Sequence, residues 1–206
     1  MDSIIFDLDG TLWDSRRTVS KSWSKVVQEV NYGRGEVTED DLKKTMGLQV
    51  KDIAARLFDY LDGAKQMELI LKCCEREQVD LRLEGGVLYP ELENVLQRLS
   101  SRYRLFIVSN CQEGYIESFY AYHGLEKYFI DFENPGRTGL TKGENIKLLM
   151  ERNNIRSTVY VGDTQGDCDA AKIAGVPFVL ANYGFGNPDS YDYLIQEPLD
   201  LIELFY

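Results

Sequence analysis

Short apolar runs that alternate with helical periodicity constrain the fold of this chain more than any other feature. Four such runs are IIF at residues 4–6, LFIV at 105–108, VYV at 159–161 and FVL at 178–180. Their length and β-branching favour buried strands over helices. Between them, residues such as Leu92, Val95 and Leu99 share one helical face. This alternation predicts an α/β fold, a parallel sheet with right-handed crossovers and helices on both faces.

One long region interrupts the alternation. Residues 16–84 show no strand pattern, only helical stripes such as the one that contains Val19, Trp23 and Val26. We therefore expect two domains. Residues 1–15 and 85–206 form the α/β core, and residues 16–84 form a small helical domain inserted after the first strand. The glycine pair Gly85-Gly86 is the predicted hinge at the return to the core.

The charge balance restricts the partners of the chain. Its 206 residues include 23 basic and 34 acidic side chains, a formal net charge of −11. An acidic surface of this size repels nucleic-acid backbones and anionic membranes, so we expect neither as a general partner. The single histidine, His123, excludes a multi-histidine metal site. A small anionic substrate requires local cations that overcome the overall charge.

The cysteines and the apolar segments indicate the cellular compartment. Cys73, Cys74, Cys111 and Cys168 form no C-x-x-C pair and do not resemble a disulfide framework. No basic segment precedes the first apolar run, and no apolar stretch approaches the roughly 20 residues of a membrane helix. We therefore expect a cytoplasmic protein with reduced thiols. Monomeric and dimeric states both stay open.

Two pairs of carboxylates follow predicted strands. Asp7 and Asp9 end the first run, and Asp163 and Asp167 follow the third. A solvated strand end explains the first pair, and acids at a helix N-terminus explain the second. If both pairs meet at one sheet edge, each like-charge contact near 4 Å costs on the order of 4 kcal/mol at an effective dielectric of 20. Protonation or a bound cation must offset that cost, and carboxylate oxygens favour Mg²⁺.

Two further features are weak in isolation. Ser109-Asn110 ends the second run and offers a hydroxyl and backbone N–H groups to an anion, although a simple turn explains it equally. Lys142 precedes a helical pattern, where a surface lysine is the ordinary interpretation. Neither feature alone predicts a phosphate site.

In combination, these segments resemble the four motifs of the haloacid dehalogenase-like hydrolase superfamily. The motifs are DLDGTL at residues 7–12, SN at 109–110, Lys142, and GDTQGD at 162–167, in the order of the family. YP at 89–90, AGVP at 174–177 and YGFG at 183–186 are similar to the phosphoglycolate phosphatase-like and β-phosphoglucomutase-like branch. The resemblance implies a Rossmann-like core, with residues 16–84 as the helical cap of that branch.

The resemblance also implies roles for the acidic residues. Asp7 is the expected nucleophile, which forms an aspartyl-phosphate. Asp9 is the expected acid that protonates the leaving oxygen and the base that then activates water. Asp7, the backbone carbonyl of Asp9 and Asp163 are the expected ligands of Mg²⁺, with Asp167 as a ligand or the support of one.

The remaining motif residues are expected to contact the phosphoryl group. Ser109, Asn110 and Lys142 are the predicted phosphate-binding residues, and Lys142 also balances the charge of the nucleophile. The expected function is a Mg²⁺-dependent phosphatase for a small phosphorylated metabolite. A phosphomutase and a non-catalytic phosphate-sensing module are the alternatives. Asp9 disfavours dehalogenation, because cleavage of a carbon–halogen bond needs no acid for the leaving group.

Several positions depart from the pattern or have no role in it. Many relatives have lysine after Ser-Asn, whereas Cys111-Gln112 follows here, and Asp169 is an additional acid beyond the fourth motif. Trp23 and Ile53 are expected in the core of the cap rather than in contact with substrate. Gly47-Leu48-Gln49 receives no assignment.

Overall fold

A six-stranded parallel sheet forms the centre of the protein. The computed structural model describes residues 1–206, and the strand order is β5-β4-β1-β6-β7-β8. The strands are β1 Ser3–Phe6, β4 Arg104–Val108, β5 Phe129–Glu133, β6 Thr158–Gly162, β7 Phe178–Ala181 and β8 Tyr193–Ile195, and a separate antiparallel pair consists of β2 Trp13–Asp14 and β3 Val87–Leu88. The predicted α/β fold is confirmed.

Strand β1 lies at the middle of the sheet, between β4 and β6. Ile5 pairs with Phe106 on one side and with Tyr160 on the other. Alternate side chains of β1 enter opposite layers, since Ile4 and Phe6 belong to one apolar cluster and Ile5 to another. Burial on both faces explains why the strand is a continuous apolar run. The carboxyl end of β1 is therefore the centre of the edge where open α/β sheets bind ligands.

Ten helices surround or extend the sheet. They are α1 Arg16–Glu29, α2 Glu39–Lys43, α3 Val50–Leu57, α4 Gly63–Glu84, α5 Leu92–Ser100, α6 Tyr115–His123, α7 Pro135–Thr138, α8 Lys142–Arg152, α9 Gln165–Ala174 and α10 Asp200–Phe205. None of them has the length and apolar character needed to cross a membrane.

Residues 16–84 contain α1 to α4 and no strand. Helix α4 packs against α1 and α3, and it also packs against α6. A capping box begins α2, because Thr38 Oγ1 accepts a hydrogen bond from the backbone N–H of Asp41 at 3.1 Å and the Asp41 carboxylate accepts one from the N–H of Thr38. The division into a core and a separate cap domain stays a prediction.

The two chain crossings between the helical segment and the sheet lie side by side. Trp13 of β2 pairs with Leu88 of β3. Gly85 has φ +65°, a backbone conformation that favours glycine. A Cβ at Gly86 would lie 2.8 Å from the Trp13 ring. The predicted hinge glycines therefore permit a close crossing beside Trp13.

Candidate active site

Three central strands deliver polar residues to one edge of the sheet. Asp7 follows β1, Ser109 follows β4 and Asp163 follows β6. The backbone N–H of Asp7 donates to the carbonyl of Val161 at 2.8 Å, so the sheet pairing continues up to the first aspartate. The backbone of this edge is consequently set by the sheet rather than by a mobile loop.

A buried acidic cluster lies at this edge. Carboxylate oxygens of Asp7, Asp163 and Asp167 all lie within 4.8 Å of one another. Lys142, at the first position of α8, reaches into the cluster, and its Nζ lies 3.0 Å from Asp7 Oδ1 and 2.6 Å from Asp167 Oδ1. All four side chains are buried. One lysine thus faces three carboxylates that are almost entirely shielded from bulk solvent.

Asp167 is held by a capping box at the start of α9, of which it is the third residue. Its Oδ2 accepts hydrogen bonds from the backbone N–H of Thr164 at 2.9 Å, the Thr164 hydroxyl at 2.7 Å and the N–H of Asp163 at 3.2 Å. Burial alone would raise the pKa of Asp167, but Lys142 and the Thr164 donors hold that pKa below its ordinary value. Asp167 is therefore an ionised partner that fixes Lys142.

Asp163 has the opposite environment. Its Oδ2 accepts one hydrogen bond, from the N–H of Phe185 at 2.7 Å, and its buried Oδ1 has no partner. A Cβ at Gly10 would lie 2.3 Å from Asp163 Oδ2, and one at Gly184 would lie 2.3 Å from Asp163 Cβ. Burial and the neighbouring carboxylates raise the pKa of Asp163 well above its ordinary value. Because Gly10 and Gly184 have no side chain, their backbones pack closely against Asp163 and fix the position of its carboxylate. One oxygen of this carboxylate has no hydrogen-bond partner.

The donor set at this point fits a divalent cation of the magnesium type. Burial, and then the charge of Asp167, raise the pKa of Asp7 to about 6, although Lys142 opposes the shift. An unpaired Asp163 oxygen and an Asp7 carboxylate lie close together. Oxygen donors in small number are the ligands that Mg²⁺ takes in proteins. A cation there would relieve the repulsion that Lys142 leaves uncompensated.

The side chain of Asp9 lies outside this cluster. Ser15 Oγ donates to Asp9 Oδ1 at 2.5 Å, and the Tyr115 hydroxyl lies 3.1 Å from the same oxygen and 2.8 Å from Ser15 Oγ. Burial raises the pKa of Asp9 to about 7, more than these hydrogen bonds lower it. Its carboxyl is therefore oriented by two hydroxyls, and it exchanges protons near neutral pH. Asp9 therefore stays a predicted metal ligand only through its backbone carbonyl, and not through its side chain.

A cavity separates the sheet edge from the helical segment. Five of the seven predicted site residues line it, namely Asp7, Asp9, Ser109, Asn110 and Lys142. Asp163 and Asp167 adjoin it through Asp7 and Lys142. The structure therefore brings all seven together. The volume of the cavity is about 70 Å³.

The two residues of the Ser-Asn motif differ in their contacts. The backbone N–H of Ser109 donates to the carbonyl of Glu133 at 3.3 Å within the sheet. That N–H is therefore engaged, which leaves the hydroxyl as the predicted donor of Ser109 to an anion. Asn110 Nδ2 donates to the carbonyl of Gly47 at 2.8 Å, while its buried Oδ1 has no partner. Asn110 thus joins the sheet edge to the helical segment.

Sequence reasoning missed part of the cavity wall. Trp23 and Ile53 belong to the apolar packing of the helical segment, as expected, and they also line the cavity. Gly47, which received no assignment, lines it as well, and a Cβ there would lie 2.8 Å from Thr164 Oγ1. Glu77 is a further wall residue that the sequence analysis did not identify, although helical spacing places it on the same buried face of α4 as Ile70 and Cys74.

Carboxylates and a lysine lie together at the carboxyl ends of the strands of a Rossmann-like sheet. This combination of fold and site is typical of enzymes that transfer phosphoryl groups. The family model described as haloacid dehalogenase-like hydrolase matches residues 4–181, and the chain belongs to this family. The family resemblance noted in the sequence is thereby confirmed.

Individual relatives agree with this assignment. The chain is 28% identical to a phosphoglycolate phosphatase of Aquifex aeolicus, over 99% of this chain and 96% of the relative. It is also 28% identical to a phosphoglycolate phosphatase of Synechococcus elongatus, over 98% and 96%. A haloacid dehalogenase-like family hydrolase of Streptococcus pneumoniae has the same fold, with a TM-score of 0.87 at 20% identity and coverage of 100% and 99%.

Proposed function

We propose that the protein is a Mg²⁺-dependent phosphatase that hydrolyses a small phosphorylated metabolite through an aspartyl-phosphate on Asp7. One observation carries the proposal. Lys142 bridges Asp7 and Asp167 beside the unpaired oxygen of Asp163, and these four residues form an acidic floor, of which Asp7 and Lys142 line the cavity. The curated relatives named above are phosphatases, which supports the same activity.

The first half of the reaction is the transfer of the phosphoryl group to Asp7. Lys142 holds Asp7 Oδ1, so the other carboxylate oxygen attacks the phosphorus atom. The bond between phosphorus and the ester oxygen breaks, and Asp9 delivers its proton to the leaving alkoxide. Ser15 and Tyr115 keep the Asp9 carboxyl in position for this transfer.

The second half of the reaction regenerates the enzyme. Asp9 is now a carboxylate, and it removes a proton from a water molecule that attacks the phosphorus of the aspartyl-phosphate. The acyl-phosphate bond breaks, Asp7 is released as a carboxylate and inorganic phosphate leaves. Lys142 and the hydroxyl of Ser109 line the cavity where the phosphoryl oxygens would bind.

A bound cation completes the electrostatics of the site. Asp7, Asp163 and the backbone carbonyl of Asp9 would hold Mg²⁺, and Asp167 would support Lys142. When bound, the cation supplies Lewis-acid stabilisation of negative charge on the phosphoryl oxygens. This contribution matters because hydrolysis of phosphate monoesters requires enzymes to lower the barrier by roughly 20 kcal/mol or more.

The helical segment is proposed to act as a cap that excludes water during transfer. Its residues Trp23, Gly47 and Ile53 form the wall that faces the acidic floor. The hydrogen bond between Asn110 and the carbonyl of Gly47 joins the two parts. A cytoplasmic location, expected from the cysteines and the charge balance, is retained here as part of the proposal.

Metal removal tests the proposed function. The purified protein is expected to release phosphate from p-nitrophenyl phosphate and from members of a phosphomonoester panel in the presence of Mg²⁺. Chelation by EDTA is expected to lower the rate at least 100-fold, because several kcal/mol of charge stabilisation is lost, and excess Mg²⁺ should restore it. Phosphate release is measured colorimetrically.

Three results would contradict this proposal. Absence of phosphate release from every ester with Mg²⁺ would favour the phosphate-sensing alternative, and a rate indifferent to chelation would remove the cation from the site. Isomerisation of a sugar phosphate in the presence of a bisphosphate activator would favour the phosphomutase alternative. No interconversion is expected.

Gly184→Ala is expected to disturb the site although it replaces no charged residue. The new Cβ would lie 2.3 Å from Asp163 Cβ, so Asp163 must move away from its position beside Asp7. We expect a loss of about 1–3 kcal/mol in the free energy of unfolding. The Mg²⁺ concentration for half-maximal activity should rise about 10- to 100-fold, as displacement of supports around a metal does elsewhere.

Gly63→Ala is the matched control, because a Cβ at Gly63, the first residue of α4, meets nothing within 4 Å. It should leave both the unfolding free energy and the Mg²⁺ dependence near the wild-type values. Equal behaviour of the two variants would show that Asp163 tolerates displacement, contrary to the proposed site.

A further inference from the structure

The cavity above the acidic floor has an unusual balance of charge for a site that binds phosphate esters. Twenty residues line it, and Lys142 is the one lysine or arginine among them. Lys142 is already engaged by Asp7 and Asp167. Two acidic side chains besides Asp7, those of Asp9 and Glu77, also line the cavity. No lysine or arginine that lines the cavity is therefore free for a second anionic group on the substrate.

Glu77 is the buried acid on the cap side of the cavity. It comes from the middle of α4 and its exposed fraction is 2%. One of its oxygens accepts a hydrogen bond from Trp23 Nε1 at 2.6 Å, and the other accepts one from the side-chain amide of Gln112. No cationic side chain contacts it. Glu77 therefore occupies two N–H donors that could otherwise bind an anion.

The surroundings of Glu77 disfavour the ionised form of a carboxyl group. Burial raises the pKa of Glu77 to about 8, and the hydrogen bonds from Gln112 and Trp23 offset only part of this effect. The same low polarity and the same absence of cations would act on a substrate carboxylate beside Glu77. Most of the remaining side chains of this wall are apolar, with Val19, Leu42 and Met46 among them, and the hydroxyl of Thr45 donates to the carbonyl of Leu42 at 2.9 Å.

We propose that the substrate is a phosphomonoester whose leaving group carries no negative charge, and that Glu77 is a specificity-determining residue that disfavours an anionic leaving group. This inference rests on the proposed phosphatase function and narrows its substrate class. An anion would have to displace Glu77 from Trp23 and Gln112 or lie unpaired against apolar side chains. The leaving group of phosphoglycolate carries a carboxylate, so the expected substrate differs from the one in the names of the curated relatives.

The test compares two esters of nearly equal shape. Phosphoglycolate and phosphoglycolamide differ by a carboxylate against a neutral amide. With the Mg²⁺-loaded wild-type protein, kcat/KM is expected to be at least about 10-fold higher for phosphoglycolamide, equivalent to 1.4 kcal/mol. A smaller ratio, or a preference for phosphoglycolate, would overturn the inference while p-nitrophenyl phosphate hydrolysis left the phosphatase function intact. Absence of hydrolysis of all three esters would overturn both.

Two variants assign the preference to Glu77 and its surroundings. Glu77→Gln removes the acid at nearly constant shape, and it is expected to lower the amide-to-carboxylate ratio at least threefold. Met46→Lys adds a cation to the same wall, and it is expected to raise kcat/KM for phosphoglycolate about 10-fold without a similar gain for phosphoglycolamide. Met46 belongs to the helical segment, lines the cavity and is only partly buried.

Glu75→Gln, on the exposed face of the same helix, is the matched control and should leave the ratio unchanged. An unchanged ratio in a folded Glu77→Gln protein would remove Glu77 from the proposal. If Glu77→Gln fails to fold, Met46→Lys is the remaining test. An unchanged kcat/KM of Met46→Lys for phosphoglycolate would then overturn the inference.

Discussion

Asp7→Asn is expected to lower the rate of phosphate release from p-nitrophenyl phosphate at least about 10⁴-fold, as loss of a covalent nucleophile does in other hydrolases. An amide nitrogen or oxygen cannot form the aspartyl-phosphate. The asparagine oxygen still reaches Lys142, which keeps its second partner, Asp167. The substitution also removes one of three crowded carboxylates. We therefore expect an intact fold, with an unfolding free energy equal to or above that of the wild type.

Asp169→Asn is the matched control for this experiment. Asp169 is an exposed acid of α9, and it accepts a hydrogen bond only from Gln165. Activity should stay within about twofold of the wild type. Mass spectrometry of the intact protein, quenched in acid during turnover, should show a phosphorylated species that Asp7→Asn lacks. Substantial turnover by folded Asp7→Asn protein would contradict the assignment of the nucleophile.

The central part of the fold was predictable because its strands are buried on both faces. β1, β4, β6 and β7 are continuous apolar runs, so local sequence alone identifies them. β5 was missed because FIDFE places acids within the strand. Arg152 of α8 compensates them, with its guanidinium 2.9 Å from Asp131 and 2.7 Å from Glu133. That compensation exists only in the tertiary structure.

The acidic floor was predictable for a related reason. Parallel strands end at the same sheet edge, so residues after β1, β4 and β6 must approach one another. No comparable rule predicts which residues of the helical segment line the cavity. Trp23, Glu77 and Gln112 come from α1, from α4 and from the loop after β4, and their contact depends on how the helical segment packs. Helical periodicity predicts that a face is buried, but it does not predict what that face meets.

Lys142→Met is expected to cost stability as well as activity. Lys142 is buried between Asp7 and Asp167, at 3.0 Å and 2.6 Å, and methionine has a similar length without the charge. Two buried carboxylates would then lack their cation, which typically costs about 3–5 kcal/mol. For a chain of this size, that loss corresponds to a decrease of roughly 6–20 °C in Tm. Phosphate release should fall at least 100-fold, since the charge that faces the phosphoryl oxygens is lost.

The stability effect is measured by denaturant unfolding in metal-free buffer, where no added cation can replace the lysine. Lys147→Met, on the exposed face of the same helix, should change the unfolding free energy by less than about 0.5 kcal/mol. Adding Asp7→Asn to Lys142→Met removes one uncompensated carboxylate. The stability gained by adding Asp7→Asn to Lys142→Met should therefore exceed, by at least about 1 kcal/mol, the gain from Asp7→Asn in the wild type, a coupling that only residues in one network show. Strict additivity of the two substitutions would mean that Lys142 does not stabilise the acidic cluster through its charge.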